Sequence, residues 1–106
     1  MDVLYIPTDN KCADNAELIN NIAEPAGIPI IAGEEGICKG CGIATLSISY
    51  DTIGYATGLM AYDILVNGKN PADMEIQYDD APVYKYDAAR CEKLNITVPD
   101  NYEAIA

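Results

Sequence analysis

A chain of 106 residues has room for one core, since a domain of this size buries only somewhat more than about 60% of its unfolded surface. Its formal charge of -11, from 17 acidic against 6 basic residues with no basic run, repels a phosphate backbone and argues against nucleic acid as a partner. Histidine is absent, which removes most acid–base and nucleophile relays, and no apolar stretch reaches the roughly 20 residues that span a bilayer.

Val3-Leu4-Tyr5-Ile6 is a continuous apolar run stopped by Pro7, the pattern of a strand covered on both faces. Cys12, Ala16, Ile19 and Ala23 then recur at helical spacing, which predicts one helix over 11–23 ended by Pro25 and Gly27. Ile28 to Ala32 forms a second short strand, and after Gly33-Glu34-Glu35-Gly36 the segment Ile37 to Cys41 has room only for a turn or a short helix. Ile43 to Ile48 is a third strand. Asp51 is the expected N-cap of the longest helix, 52–66, ended by Asn67-Gly68, and Gly54 and Gly58, one turn apart in it, suggest a close neighbour on that side. Met74 to Tyr78 and Val83 to Tyr86 both alternate like strands with one wet face. Asp87 is expected to cap a helix through Leu94, followed by an extended Asn95 to Val98 and a short terminal helix opened by Pro99.

Strand and helix alternate over two thirds of the chain, which predicts an α/β fold: a mostly parallel, three-layer, Rossmann-like sheet. Ligands of such sheets gather at the carboxyl ends of the strands. Thr8, Asp9 and Asn10 follow the first strand, and Glu34 and Glu35 follow the second, so both clusters are expected on one rim.

Four cysteines, Cys12, Cys38, Cys41 and Cys91, are too sparse for a disulfide scaffold and read as small buried thiols. Cys38 to Cys41 has CxxC spacing, yet zinc would need a second pair and a redox motif should open a helix directly after a strand; a Cys38–Cys41 disulfide stays open. Tyr50, Tyr55, Tyr62, Tyr78, Tyr84 and Tyr86 are scattered over helix and strands and read as amphipathic core edges rather than an aromatic cage.

The order of "YIPTDN", "IPIIAGEEG", "GIATLSISYDTIGYATGLMAYDILVNGKNPADM" and "DAARCEKLNITVP" resembles the C-terminal part of the substrate-binding proteins of ABC importers, in the branch associated with aromatic and other amino acids and built on the type I periplasmic-binding fold. The likeness runs over nearly the whole chain. It implies two α/β lobes that clamp a solute, an exported protein commonly anchored by a lipid, and an ABC permease as partner. Only the final third or so of such a protein is matched, so Met1 is expected to begin a shortened chain without export signal or opening lobe, soluble as it stands. By the same resemblance, residues 1–48 come from the second lobe and 49–106 from the return into the first lobe and the tail. In the family the turn around Cys38 to Cys41 is usually glycine-rich without a cysteine pair, a departure in this chain.

The resemblance turns the loop after "YIP" toward the cleft, which makes Thr8, Asp9 and Asn10 candidates for ligand binding, with Asp9 first for a solute ammonium. The bland alternative is that Asp9 or Asn10 caps the next helix. Glu35 is preferred over Glu34, one of the two acids being expected to remain solvated. Ser47, Ser49 and Tyr50 stand near the crossing between lobes, where a hydroxyl touches solute or serves only as a hinge contact, Ser49 being the one kept as a weaker candidate. Neither catalysis nor a cofactor is expected. An enzyme using Asp9 with Glu34 or Glu35 around a divalent metal is the competing reading, and a receiver-like signalling domain a third. Apolar faces left bare by the missing lobe predict a homo-oligomer.

Overall fold

The computed structural model describes all 106 residues, which form two compact units: Met1–Ser47 together with Val83–Ala106, and Ile48–Pro82. In the first unit, strand β1 (Leu4–Ile6) leads through helices α1 (Asn10–Asp14) and α2 (Ala16–Ala23) to β2 (Ile30–Ala32), and α3 (Glu35–Cys41) leads to β3 (Ala44–Ser47). Strand β4 (Val83–Tyr86), helix α5 (Ala88–Lys93) and strand β5 (Glu103–Ala104) complete it, after α4 (Tyr50–Leu65) in the second unit. The sheet order is β1-β2-β3-β4-β5, parallel throughout except where β4 runs antiparallel to β3. The mostly parallel α/β sheet expected from the alternation is present.

Side-chain alternation on the strands divides the core. Ile6, Ile30 and Ala32 point to the face packed by Ala16, Ala23, Ile37, Cys38 and Cys41 of α2 and α3. Ile31, Ala44 and Tyr86, in register with one another across β2, β3 and β4, point to the opposite face, where Cys91, Leu94, Ile96, Val98 and Tyr102 cover them. Arg90 of α5 ties the unit together: it donates to Asp87 Oδ2 at 2.8 Å, to Asn20 Oδ1 at 2.8 Å and to the Gly40 carbonyl at 2.8 Å near the end of α3. That satisfies a carbonyl the helix end leaves without a partner.

Local departures from the sequence pattern each have a cause. The helix expected over 11–23 is two helices, because Asn15 leaves helical geometry (φ -117°, ψ 20°) and turns its amide back onto the Lys11 carbonyl. Met74 to Tyr78 forms no strand. A strand with one wet face needs its other face buried, and here Ile76 and Tyr78 stand exposed. Pro99 opens a turn, closed by Tyr102 N–H on its carbonyl, rather than a helix, and the tail pairs with β4 as β5. This β4 and β5 pairing places residues 83–106 in the same unit as residues 1–47, whereas a cut at 48/49 would separate them.

In the second unit, α4 is capped by Ser49, whose Oγ accepts from Thr52 N–H at 3.2 Å, and not by Asp51, which lies within the first turn. Ser49 N–H in turn donates to Asp79 Oδ2 at 2.8 Å. No residue of α4 is buried. Tyr55, Tyr62 and Tyr78 are exposed, against their reading as core edges, and a Cβ added at Gly54 or Gly58 would meet nothing within 4 Å, so the expected close neighbour is not found in this chain.

Candidate functional site

Because β1, β2 and β3 are parallel, their carboxyl ends share one edge, with Ile6 level with Ala32 and Ala32 level with Thr45. Two loops leave this edge side by side. Gly33 donates its N–H to the Ile6 carbonyl at 2.7 Å, and a Cβ placed on Gly33 would lie 2.7 Å from Thr8 N and 2.9 Å from the Pro7 carbonyl carbon. Only a residue without a side chain lets the main chains approach so closely. Thr8, Asp9 and Asn10 therefore stand beside Glu34 and Glu35 on one rim of the first unit.

The acids on this rim are already engaged. Asp9, extended at φ -143°, caps α1 by accepting from Cys12 N–H at 2.9 Å, and that bond holds its carboxyl below the usual range. Asn10 is the first residue of the helix, and Thr8 is exposed in the loop before it. Glu34 caps α3 by accepting from Gly36 N–H at 2.8 Å and from Ile37 N–H. Glu35 turns the other way. Its Oε2 accepts from Lys85 Nζ at 2.8 Å and from Ser47 Oγ at 3.2 Å, and the lysine bond is the chief reason its carboxyl is held low. Neither glutamate is merely solvated, which corrects that expectation.

Sequence reading missed Lys85 and Thr45, and weighed Ser47 only as a hydroxyl near the crossing between lobes, whereas it donates to Glu35. Lys85 stands directly opposite Thr45 in the β3–β4 register, and Ser47, two residues on, shares their face. Thr45 is 2% exposed, and its hydroxyl has no hydrogen-bond partner. A lysine interrupting the apolar and aromatic strand Val83-Tyr84-Lys85-Tyr86 was the available signal. Ser49, the remaining candidate, lies in the other unit, with its hydroxyl engaged as the cap of α4.

The cysteines carry no disulfide. All four thiols are free; Cys38, Cys41 and Cys91 are buried, and burial pushes Cys38 up to about 12. No three cysteine or carboxylate groups converge in an arrangement that could hold a metal ion. No helix is long and apolar enough to cross a membrane.

The whole chain, residues 1–106, matches the family model described as ABC transporter substrate binding protein. A tyrosine-binding protein of Clostridioides difficile is 37% identical over 76 residues, which are 72% of this chain and 22% of that protein. Among solved structures, a substrate-binding protein with adhesive properties from Clostridium difficile, in its ligand-free open form, superimposes with a TM-score of 0.74 at 33% identity, over 97% of this chain and 35% of that one. The complex of an ABC domain from Streptococcus pneumonia with L-Trp gives 0.82 at 22% identity, over 100% of this chain and 37% of that one, a likeness of fold. The chain thus spans about a fifth of the curated relative and about a third of these structures. It belongs to the ABC transporter substrate-binding protein family.

Proposed function

We propose that this chain carries the solute-gripping rim of an ABC importer's binding protein and takes an amino-acid-like solute, with aromatic amino acids favoured. The observation that carries the reading is the abutment of the Thr8–Asn10 and Gly33–Glu35 loops on one rim, where carboxylates and a lysine lie together. Its support from relatives is that one is named as tyrosine-binding and another was solved with L-Trp. Thr8, Asp9, Asn10 and Glu35 form the proposed ligand set of the first unit, and Ser49 is a separate proposed ligand residue of the second. The protein binds and releases and performs no chemistry of its own.

The proposal extends to the whole protein: extracytoplasmic, anchored by a lipid, and delivering to a permease. The β4 and β5 pairing supports assigning Met1–Ser47 with Val83–Ala106 to one lobe and Ile48–Pro82 to the other. The bare apolar surface of α4, with Leu59, Tyr62 and Leu65 exposed, supports self-association of the chain on its own. Calorimetry with a panel of amino acids tests the central reading. Heat from tyrosine or tryptophan, and none from acidic or basic amino acids, is expected, and no heat from any of them at millimolar concentration overturns it.

A further inference from the structure

We propose that Lys85 and Glu35 are a zwitterion reader: a bound amino acid inserts into their ion pair, its carboxylate taking Lys85 and its ammonium taking Glu35. This inference rests on the solute-binding reading above and names the part of the solute that the first unit recognises.

In the ligand-free chain the two charges neutralise each other, with Lys85 Nζ 2.8 Å from Glu35 Oε2. The pair is neither buried nor fully solvated, with side chains 28% and 41% exposed, so water and solute reach it. Its surroundings are built on one side only. Ser47 Oγ also lands on Oε2, leaving Oε1 open to a further donor. Thr45 stands level with Ala32, the last residue of β2, and opposite Lys85; the residue is 2% exposed and its hydroxyl is buried and unpartnered. A buried hydroxyl without a partner is costly, and each such group calls for an explanation. Thr45 lies opposite Lys85 on the same face of the sheet, which gives the lysine a neighbouring acceptor once it leaves Glu35.

Insertion of a zwitterion leaves every charge paired: one protein ion pair is exchanged for two protein–solute pairs. A ligand with only one charge cannot do this. An amine would pair with Glu35 and strand Lys85, and a carboxylate would pair with Lys85 and strand Glu35. A half-ligand thus forms one charge-assisted bond at the expense of another and gains no net pair, whereas the zwitterion gains one, which is the basis of selectivity. Asp9 lies on the same rim but accepts the Cys12 N–H, whereas both bonds to Glu35 fall on Oε2, which leaves Glu35 Oε1 as the carboxylate oxygen open to the solute ammonium.

The test uses the full chain and three ligands: L-tyrosine, tyramine, which lacks the carboxylate, and 3-(4-hydroxyphenyl)propionate, which lacks the ammonium. Binding is measured by NMR titration on the wild type and on Lys85→Met, Lys85→Arg and Glu35→Gln, with circular dichroism to confirm folding. Wild type should prefer tyrosine to either half-ligand by about tenfold or more. Lys85→Met should weaken tyrosine and the propionate by roughly 10- to 100-fold while sparing tyramine, and Lys85→Arg should restore most of the loss. Glu35→Gln should do the reverse, sparing the propionate. Wild type that binds tyrosine, with Lys85→Met binding all three ligands as wild type does or losing all three equally, overturns the zwitterion reader and leaves the solute-binding reading standing. Wild type that binds none of the three overturns both. Should Lys85→Met not fold, Lys85→Arg and Glu35→Gln decide the matter by the same comparison.

Discussion

Replacing Gly33 with alanine tests the packing of the two rim loops. The added Cβ would sit 2.7 Å from Thr8 N, 2.9 Å from the Pro7 carbonyl carbon and 3.0 Å from Pro7 Cα. Ordinary carbon contacts are about 3.5–4.0 Å, so the loops must part by something near 1 Å. All three obstructing atoms belong to the main chain, so no side-chain rotation relieves the clash. Parting also strains the 2.7 Å bond from Gly33 N–H to the Ile6 carbonyl. Overpacking of this kind costs about 1–3 kcal/mol. For a domain of this size each kcal/mol moves Tm by roughly 4–8 °C, so a loss of roughly 4–24 °C is expected in a thermal melt followed by circular dichroism. Gly54→Ala is the matched control: it lies in exposed helix with nothing within 4 Å of the new Cβ, and it should gain up to about 1 kcal/mol from helix propensity. If Gly33→Ala melts with wild type or above it, the loops do not abut as described and the rim loses its basis.

Four further outcomes follow. Asp9→Asn keeps an acceptor for Cys12 N–H but removes the charge, so stability should hold while tyrosine binding weakens; equal loss of both in denaturant unfolding and NMR titration would reduce Asp9 to a cap. Glu35 is held below its ordinary value of 4.5 chiefly by the Lys85 bond, so the pair's contribution is complete above that pH and is lost as pH falls through the lower folded value. The stability difference between wild type and Lys85→Met should accordingly be about 0.2–1 kcal/mol at neutral pH, as for a partly exposed pair, and vanish in acid. Arg90→Met strips a partner from the Gly40 carbonyl and from Asp87, and unfolding in urea should show a loss of about 2–4 kcal/mol. At pH 8 a thiol reagent should leave Cys38, Cys41 and Cys91 unmodified until the chain is unfolded, because they are buried with raised thiol values, and should reach only Cys12 in the native state.

The rim was legible because it depends on chain direction alone. Parallel strands send their following loops to one edge, so apolar runs ending in Pro7 and Gly33 sufficed to place Asp9 beside Glu34 and Glu35. What the carboxylates do there was not legible, because helix capping and ligand binding ask for the same residue types in the same loop. Glu34 and Glu35, neighbours in sequence, take opposite roles because α3 begins between them: one caps and the other faces across to β4. Lys85 escaped notice because its meaning comes from register with Thr45, a pairing between residues 40 apart in the chain. Met74 to Tyr78 misled for a related reason. Alternation marks a strand only where one of its faces is buried by the rest of the chain, and Ile76 and Tyr78 stand exposed.

The most direct measurement is a two-dimensional NMR titration of the isotope-labelled chain with L-tyrosine. The account predicts that the largest shifts fall on the amides of Thr8 to Asn10 and Gly33 to Glu35 and on those around Lys85. Shifts confined to α5 and the tail, or none at saturating tyrosine, would contradict it.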